Sequence, residues 1–212
     1  IYAKRFMDEQ GHALFEPFIS LTLPNITNIV RCRILDDWVR TELTRSPNTL
    51  VITLGAGFDS RPYRMKGGRW VEIDESAIID FKNHKLPVEE CGNPLERLSI
   101  DFTRESLVEK LKPFEQKHLV IAVIEGVCMY LSEDELQSTL ENFIRLFPNH
   151  SLFCDLMNRA FFDRFGRKTH ERLAKIGGIF TPRPVKPEQK FLELGYREME
   201  SVSIFRRARD IG

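Results

Sequence analysis

The sequence predicts an α/β fold built on a doubly wound, mostly parallel sheet. Three observations support this: short apolar runs alternate with amphipathic stretches, the intervals between runs each leave room for one crossover helix, and a glycine or an acidic residue follows nearly every run. The 212 residues suffice for one large domain with a sizeable core. We expect a single domain, with a helical cap over residues 1–46 and the sheet with its helices over residues 47–212.

The elements follow in order from changes in periodicity. Ile26, Val30, Ile34 and Trp38 recur every fourth residue and predict a helix with Asn25 as its cap. Apolar runs predict five strands, at 49–54, 70–73, 95–100, 119–124 and 150–154. Further helices are predicted at 78–86, at 104–111, after a capping box that begins at Ser132, at 160–176 and at 188–194. Alternation over 198–205 predicts a sixth strand.

The composition excludes several classes of protein. Lys plus Arg and Asp plus Glu both number 31, so no net charge attracts nucleic acid or an anionic membrane. No apolar run approaches the roughly 20 residues that span a bilayer. The four cysteines form no CxxC pair and the five histidines no HExxH, so we expect no metal site, and free thiols typical of the cytoplasm. The chain begins at Ile1 without a signal-like segment, and we expect its native start to lie upstream.

Four residues mark the ends of successive strands. Gly55, Asp74, Asp101 and Glu125 are separated by 19, 27 and 24 residues, and each interval fits one helix and one strand. We therefore expect all four at the carboxyl edge of the sheet, where open α/β folds bind ligands. A row of carboxylates suits hydroxyls, amines and cations better than it suits phosphate.

The turn Gly55-Ala56-Gly57 narrows the ligand further. The third glycine of a dinucleotide fingerprint would fall at Ser60, and Asp59 places a negative charge where a pyrophosphate would approach. Both count against NAD or FAD, and the chain has no P-loop motif.

A cationic nucleoside without phosphate fits this edge better, and S-adenosyl-L-methionine is such a ligand. Its methionine part needs glycine for close approach, its ribose suits Asp74, and its adenine amine suits Asp101. Arg31 or Lys4 could supply a cation for its carboxylate.

Several motifs resemble one family. Residues 54–61, with the sequence LGAGFDSR, resemble the LGAGxDT/S motif of the leucine carboxyl methyltransferase family, which includes bacterial O-methyltransferases of polyketide tailoring. Four more segments match in order, KRF at 4–6, RCRILD at 31–36, VEID at 71–74 and EGVCMYL at 125–131, and DRFG at 163–166 is also similar. The resemblance covers roughly residues 2–200 and implies a Rossmann-like fold of the class I methyltransferase type.

The resemblance also implies a cofactor site. It assigns Lys4 and Arg31 to the methionine carboxylate, the turn Gly55, Ala56 and Gly57 to the cofactor backbone, Asp74 to the ribose, Asp101 with Phe102 to the adenine, and Glu125 to the amino group. The family usually has Leu where this chain has Phe102. It further implies a closing strand after residue 205, which these 212 residues do not include.

Methyl transfer from a sulfonium requires mainly orientation and a dry cavity. The motifs contain no His or Lys placed as a base, which favours a carboxylate acceptor, already ionised at neutral pH. A hydroxyl acceptor would need a base, for which Tyr130 or a histidine is a candidate. We expect Arg61 or Arg64 to orient an acidic acceptor.

The sequence thus favours an S-adenosylmethionine-dependent O-methyltransferase that acts on a carboxyl or hydroxyl of a small molecule. The alternatives are a methyltransferase for a protein C-terminus, a non-catalytic cofactor binder and, less well supported, an NAD-dependent dehydrogenase. An elongated acceptor groove would favour the protein substrate, and a closed pocket under the loop 177–187 the small molecule. Neither the acceptor nor the oligomeric state is specified.

Overall fold

The computed structural model describes residues 2–102, 104–116, 118–175, 177–181 and 184–211. Its centre is a five-stranded sheet whose neighbouring strands are all parallel. The strands are β1 (Leu50–Leu54), β2 (Arg69–Asp74), β3 (Leu95–Ser99), β4 (Val120–Ile124) and β5 (His150–Cys154). They lie in the order β3-β2-β1-β4-β5, so the order reverses beside β1, as in a doubly wound sheet. The predicted fold class and five of the predicted strands are confirmed.

Helices cover both faces of the sheet. In the described part of the chain, a 3₁₀ helix (Tyr2–Phe6) and two α-helices, α1 (Glu9–Ile19) and α2 (Thr22–Arg45), precede it. Those between the strands are α3 (Arg61–Arg64), α4 (Ser76–Lys85), α5 (Leu107–Leu111) and α6 (Glu133–Leu146). Those after β5 are α7 (Arg159–Phe161), α8 (Arg167–Ala174), α9 (Gln189–Glu193) and α10 (Ile204–Ile211). Within the described ranges, none of these helices is both long enough and apolar enough to cross a membrane.

Two apolar cores lie on opposite faces of β1 and β4. Every residue of these two strands is buried, so side chains of alternating residues enter different cores. Ile52 and Ala122 pack in one core with residues of α6, and Val51 and Ile121 pack in the other with residues of α2. Burial on both faces explains why these strands are continuous apolar runs in the sequence.

The capping box predicted at Ser132 is present. The Glu135 N–H donates to Ser132 Oγ at 3.2 Å, and the Ser132 N–H donates to Glu135 Oε2 at 2.7 Å. The helix that follows, α6, buries Leu136, Leu140 and Phe143 at helical spacing. The sequence pattern therefore determines both the start of α6 and the face that it packs against the sheet.

The sixth strand predicted over 198–205 is wrong. Residues 198–203 have no regular structure, and α10 begins at Ile204. Apolar residues at 204, 205, 208 and 211 have helical spacing, and α10 packs against α2. The helical spacing of the apolar residues from 204 onward thus determines the structure there, and the alternation over 198–203 does not form a strand.

Three predicted helix boundaries also differ. Asn25 does not cap α2, which begins at Thr22 after Leu21; the Asn25 amide instead donates to the Phe18 carbonyl at 3.1 Å. The helix expected from residue 104 begins only at Leu107. The helix expected at 160–176 is divided by a π-helix, Phe162–Gly166, and position 176 lies outside the described residues.

A buried ionic cluster supports the sheet below the glycine turn. Glu72 on β2 and Lys82 on α4 are both fully buried, with Lys82 Nζ 2.8 Å from Glu72 Oε1. Arg97 on β3 lies 2.8 Å from the second oxygen of Glu72, between its Nε and Oε2. Lys82 Nζ also approaches the Ala56 carbonyl oxygen at 3.4 Å. The cluster therefore links two strands and α4 to the turn after β1.

We expect Lys82→Met to lower the free energy of unfolding by about 3–5 kcal/mol, because it leaves the buried Glu72 carboxylate with one counter-charge fewer. Urea denaturation followed by circular dichroism measures the loss. The control is Lys110→Met, which removes a cation that is about one-third exposed and paired with Glu105 at the surface, and it should hardly move the unfolding midpoint. Equal midpoints for both variants would contradict a stabilising role for the Lys82 pair.

Candidate active site

The carboxyl ends of the strands meet at one edge of the sheet. Leu54 is in register with Ile73, Asp74 with Ser99, and Ile124 with Cys154. The residues that follow these ends, together with Asp74 itself, therefore share the edge, as their spacing predicted. The structure places five strand-end residues there, Gly55, Asp74, Asp101, Glu125 and Asp155.

The turn after β1 lets a ligand approach the backbone closely. Gly55 has φ +65°, and a Cβ on it would lie 2.3 Å from a methyl carbon of Val127, so only glycine fits. The N–H groups of Gly55 and Ala56 both donate to the Ile73 carbonyl, at 2.9 and 3.1 Å. At Gly57, by contrast, a Cβ would have no described atom within 4 Å. The space next to Gly57 is therefore open, whereas hydrogen bonds to the Ile73 carbonyl fix the backbone of Gly55 and Ala56.

Asp74 is fixed directly beside this space. Its Oδ2 accepts the Gly57 N–H at 2.6 Å and its Oδ1 accepts the Glu75 N–H at 2.8 Å. Each carboxylate oxygen has a second lone pair, so Asp74 can still accept from a ligand hydroxyl. The carboxylate is thus oriented by two backbone donors before any ligand arrives.

Asp101 and Phe102 lie next along the edge. The Ile100 N–H donates to the Asp74 carbonyl at 2.9 Å, which brings the end of β3 beside the end of β2. The Phe102 side chain is 46% exposed, and Asp101 lies 3.6 Å from Arg104. Both residues are accessible where the resemblance expects an adenine.

Arg61 is the centre of a buried charge network. Its side chain is 1% exposed and its three nitrogens each meet a different carboxylate. Nε lies 2.8 Å from Asp36, Nη1 lies 2.8 Å from Asp59, and Nη2 lies 2.6 Å from Glu125. One guanidinium therefore joins α2, the turn after β1 and the end of β4.

Arg31 extends the network along the edge. Its Nε lies 3.0 Å from Glu125 Oε1, and its Nη1 lies 3.2 Å from Asp155 Oδ2. Gly126 donates its N–H to Asp155 Oδ1 at 2.6 Å and has φ +70°; a Cβ there would lie 3.2 Å from the Arg31 guanidinium. Glycine at 126 lets Arg31 lie across the end of β4.

The network lowers the pKa of two of its carboxylates, Glu125 and Asp36. Burial alone would raise the pKa of Glu125, but Arg61 and Arg31 outweigh it and lower that pKa. Burial also opposes ionisation of Asp36, and Arg64 and Arg61 again lower its pKa. For Cys32, burial and the Glu125 charge raise the pKa to about 12. The Cys32 thiol, which donates to Glu125 at 3.2 Å, therefore stays protonated at neutral pH.

The structure changes the expected position of Arg61. We expected it to contact an acceptor, but its guanidinium is buried and saturated by three carboxylates, so any effect on a ligand must act through them. Arg64, the alternative, is about one-third exposed and also binds Asp36. Lys4 is exposed, and no described residue forms an ion pair or hydrogen bond with its side chain. The assigned roles of these residues stay predictions.

Sequence reasoning missed Asp155 as a site residue. It ends β5 as Glu125 ends β4, so the strand-end rule that selected the other four positions could have found it. Its contacts with Arg31 and Gly126 place it at the same edge. Asp36 belongs to the RCRILD segment, and nothing local in the sequence shows that it pairs with Arg61.

A groove of about 1580 Å³ begins where this edge ends. Its lining includes Arg31, Gly126, Tyr130 and Asp155 from this edge, together with all five residues of β5. At about 3.3 Å per residue, β5 itself is about 13 Å long from its first to its last residue. Parts of α1, α2 and residues 194–205 complete the walls.

Tyr130 lies on the groove wall. Its ring is 43% exposed and meets Phe180 edge-on at 5.2 Å, and the Thr181 N–H donates to the Met129 carbonyl at 2.8 Å. Burial raises the pKa of Tyr130 above its usual value of 10, so its hydroxyl stays protonated at neutral pH. This favours an orienting hydrogen bond over proton abstraction.

Among the residues that the structure describes, no group of three or more potential ligands is arranged for a metal.

Comparisons with known proteins identify the family of the chain. Residues 4–144 match the leucine carboxyl methyltransferase family. The tetracenomycin polyketide synthesis O-methyltransferase TcmP of Streptomyces glaucescens is 30% identical over 128 residues, which are 59% of this chain and 45% of that protein. The chain spans about half the length of the curated relatives it matches.

Solved structures support the fold. A DUF574 family protein of Streptomyces avermitilis superposes with a TM-score of 0.60 at 10% identity, over 91% of this chain and 80% of that one. Magnesium protoporphyrin IX methyltransferase of Synechocystis, with bound S-adenosylhomocysteine, gives 0.53 at 14% identity, over 83% and 80%.

We expect Arg61→Lys to lower the free energy of unfolding at neutral pH by about 3 kcal/mol, because one ammonium cannot serve three buried carboxylates. The pKa values of Glu125 and Asp36 are lowered in the folded protein. Their stabilisation is therefore present above about pH 4.5 and is lost as pH falls through the folded pKa values. Urea denaturation between pH 7 and pH 3 should show a steeper acid loss in the wild type than in the variant. Arg40→Lys, at an exposed pair with Asp37, is the control; identical pH profiles for Arg61→Lys and wild type would contradict the network.

Proposed function

The chain belongs to the leucine carboxyl methyltransferase family, and we propose that it binds S-adenosyl-L-methionine and transfers the methyl group to an oxygen of a small molecule. One observation carries the proposal. The open space over Gly57 lies beside the oriented Asp74 carboxylate, at the same edge as Glu125 and Arg31. Glycine, carboxylates and a guanidinium are the groups that a cationic, phosphate-free nucleoside with an amino-acid end requires.

The residues fit the parts of this cofactor one by one. Asp74 would accept from the ribose hydroxyls, and Asp101 with Phe102 would border the adenine. Glu125 would accept from the ammonium group, since Arg61 and Arg31 keep it ionised. Arg31 would bind the carboxylate by exchanging part of its contact with Asp155, and Lys4 could add a second cation.

The charge of the network supports a cationic ligand. Four carboxylates (Asp36, Asp59, Glu125, Asp155) meet three guanidinium groups (Arg31, Arg61, Arg64), which leaves one negative charge in excess. S-adenosylmethionine supplies a methyl group that its sulfonium has already activated. What remains for this chain is to hold the two reactants in line and to exclude water.

The groove supplies the acceptor site in this proposal. It shares Arg31 and Asp155 with the proposed cofactor site, and aromatic side chains such as Trp38, Phe153 and Phe161 contribute to its lining. These surfaces suit a flat, largely apolar small molecule, and the relative TcmP is named as a polyketide O-methyltransferase. Tyr130 would orient the acceptor oxygen through its protonated hydroxyl.

One observation favours a second candidate, methylation of a protein C-terminus. All five residues of β5 line the groove, so an extended peptide could lie along this strand. A non-catalytic cofactor binder is the outcome that remains if binding occurs without transfer.

We expect the chain to bind S-adenosylhomocysteine in isothermal titration calorimetry, and Asp74→Ala to weaken that binding about tenfold to 100-fold. The reason is the loss of a charged acceptor for the ribose hydroxyls. The matched control is Asp80→Ala, an exposed carboxylate on α4, which should bind as the wild type does. Thermal unfolding checks that Asp74→Ala is folded. Wild-type binding of NAD but not of S-adenosylhomocysteine would refute the proposal.

Methyl transfer and the type of acceptor oxygen can be tested together. We expect label from methyl-labelled S-adenosylmethionine to appear in members of a panel of phenols and carboxylic acids, and not in peptides that end in a free carboxylate. Mild base releases methanol from a methyl ester but not from a methyl ether, so it identifies the oxygen. Label in peptides alone would favour the second candidate, and binding without label in any acceptor would favour the non-catalytic binder.

A further inference from the structure

The N-terminal segment, residues 2–8, packs against the glycine turn through three aromatic rings. Phe6 is buried and stacks on Phe58 with ring centroids 4.9 Å apart and planes at 21°. Phe81 on α4 lies 5.5 Å from Phe58 and 6.5 Å from Phe6. We call Phe6, Phe58 and Phe81 the aromatic clasp. It joins the start of the chain to the residue that directly follows Gly57.

Further contacts hold both ends of the same segment. Tyr2 meets Tyr63 at 5.4 Å, and Arg5 pairs with Glu90. Asp8 lies 2.8 Å from Lys85, whose ammonium is also 5.5 Å from the ring of Phe81. The segment is therefore a docked part of the fold and not a free tail, because it meets side chains around α3 and α4.

Lys4 lies in the middle of this docked segment. Its neighbours in sequence, Arg5 and Phe6, are bound, whereas Lys4 is exposed and pairs with no described residue. Phe58 is itself 51% exposed although two rings contact it, and it adjoins the open space over Gly57. The aromatic clasp thus connects the segment that carries Lys4 to Phe58, which borders the proposed cofactor site.

We propose that Phe58 is a positioning residue, which keeps residues 2–8 docked so that Lys4 is presented to the carboxylate of the bound cofactor. The inference rests on the proposed function for the identity of that ligand. Without the clasp, the segment would be docked in only a fraction of molecules, and the apparent dissociation constant would rise by the inverse of that fraction.

The first test is calorimetric titration of S-adenosylhomocysteine into Phe58→Ala and Phe6→Ala. Loss of an aromatic pair is expected to weaken binding about 3- to 10-fold in each. Phe58→Tyr, which keeps the ring, should restore affinity. Ile29→Ala, at a residue 70% exposed on α2, is the control and should bind as the wild type does.

A double-variant cycle with Lys4→Met separates positioning from general stability. If Phe58 acts through Lys4, the loss of affinity in Phe58→Ala with Lys4→Met will be smaller than the product of the two single losses. A combined loss equal to that product would overturn the inference, as would unchanged affinity of Phe58→Ala.

Hydrogen exchange of residues 2–8 provides a readout that needs no ligand. Phe58→Ala should speed the exchange of these amides while the amides of β1 and β4 keep their protection. Unchanged exchange in the segment would overturn the inference. Failure of the wild type to bind S-adenosylhomocysteine would instead overturn the proposed function, and with it the role of Lys4. If the wild type and Phe58→Ala bind S-adenosylhomocysteine equally well, this inference alone is overturned.

Discussion

The buried guanidinium of Arg61 is the interaction on which the candidate site depends. Asp36, Asp59 and Glu125 come from α2, from the turn after β1 and from the end of β4, and their charges would repel one another without it. A planar guanidinium has five donors in fixed directions, so it can serve three carboxylates where an ammonium cannot. Desolvation makes such buried pairs a weak source of stability, and we interpret the role of Arg61 as positional: it sets α2, and therefore Arg31, against the sheet edge.

The glycine turn is held from several sides and is open on one. Lys82 approaches the Ala56 carbonyl from below, the Gly55 N–H binds the neighbouring strand, and Asp74 receives the Gly57 N–H. The open side is the one that a Cβ on Gly57 would occupy, where no described atom lies within 4 Å. A site organised in this way does not have to rearrange its backbone when a ligand binds, which reduces the entropic cost of binding.

The sequence predicts the sheet better than it predicts the contacts between charges. β1 and β4 are apolar on both faces, so their runs stand out, and the spacing of strand ends brings Asp74 and Glu125 to one edge. The partners of Arg31 were not predictable in this way. Asp36 and Asp37 are close to it in sequence, yet it pairs with Glu125 and Asp155, which are 94 and 124 residues away. The burial of Arg61 could not be predicted from the sequence either, because arginine is rarely buried and its three carboxylate partners come together only in the folded chain.

The free edge of β5 has a practical consequence. Among the described strands, β5 pairs with β4 alone, and its five residues, His-Ser-Leu-Phe-Cys, are all only partly buried. They include no proline, lysine or acidic residue, the features that usually keep an edge strand from pairing with other molecules. Within the described residues, the edge of β5 is therefore the place where pairing with a further strand meets the least opposition.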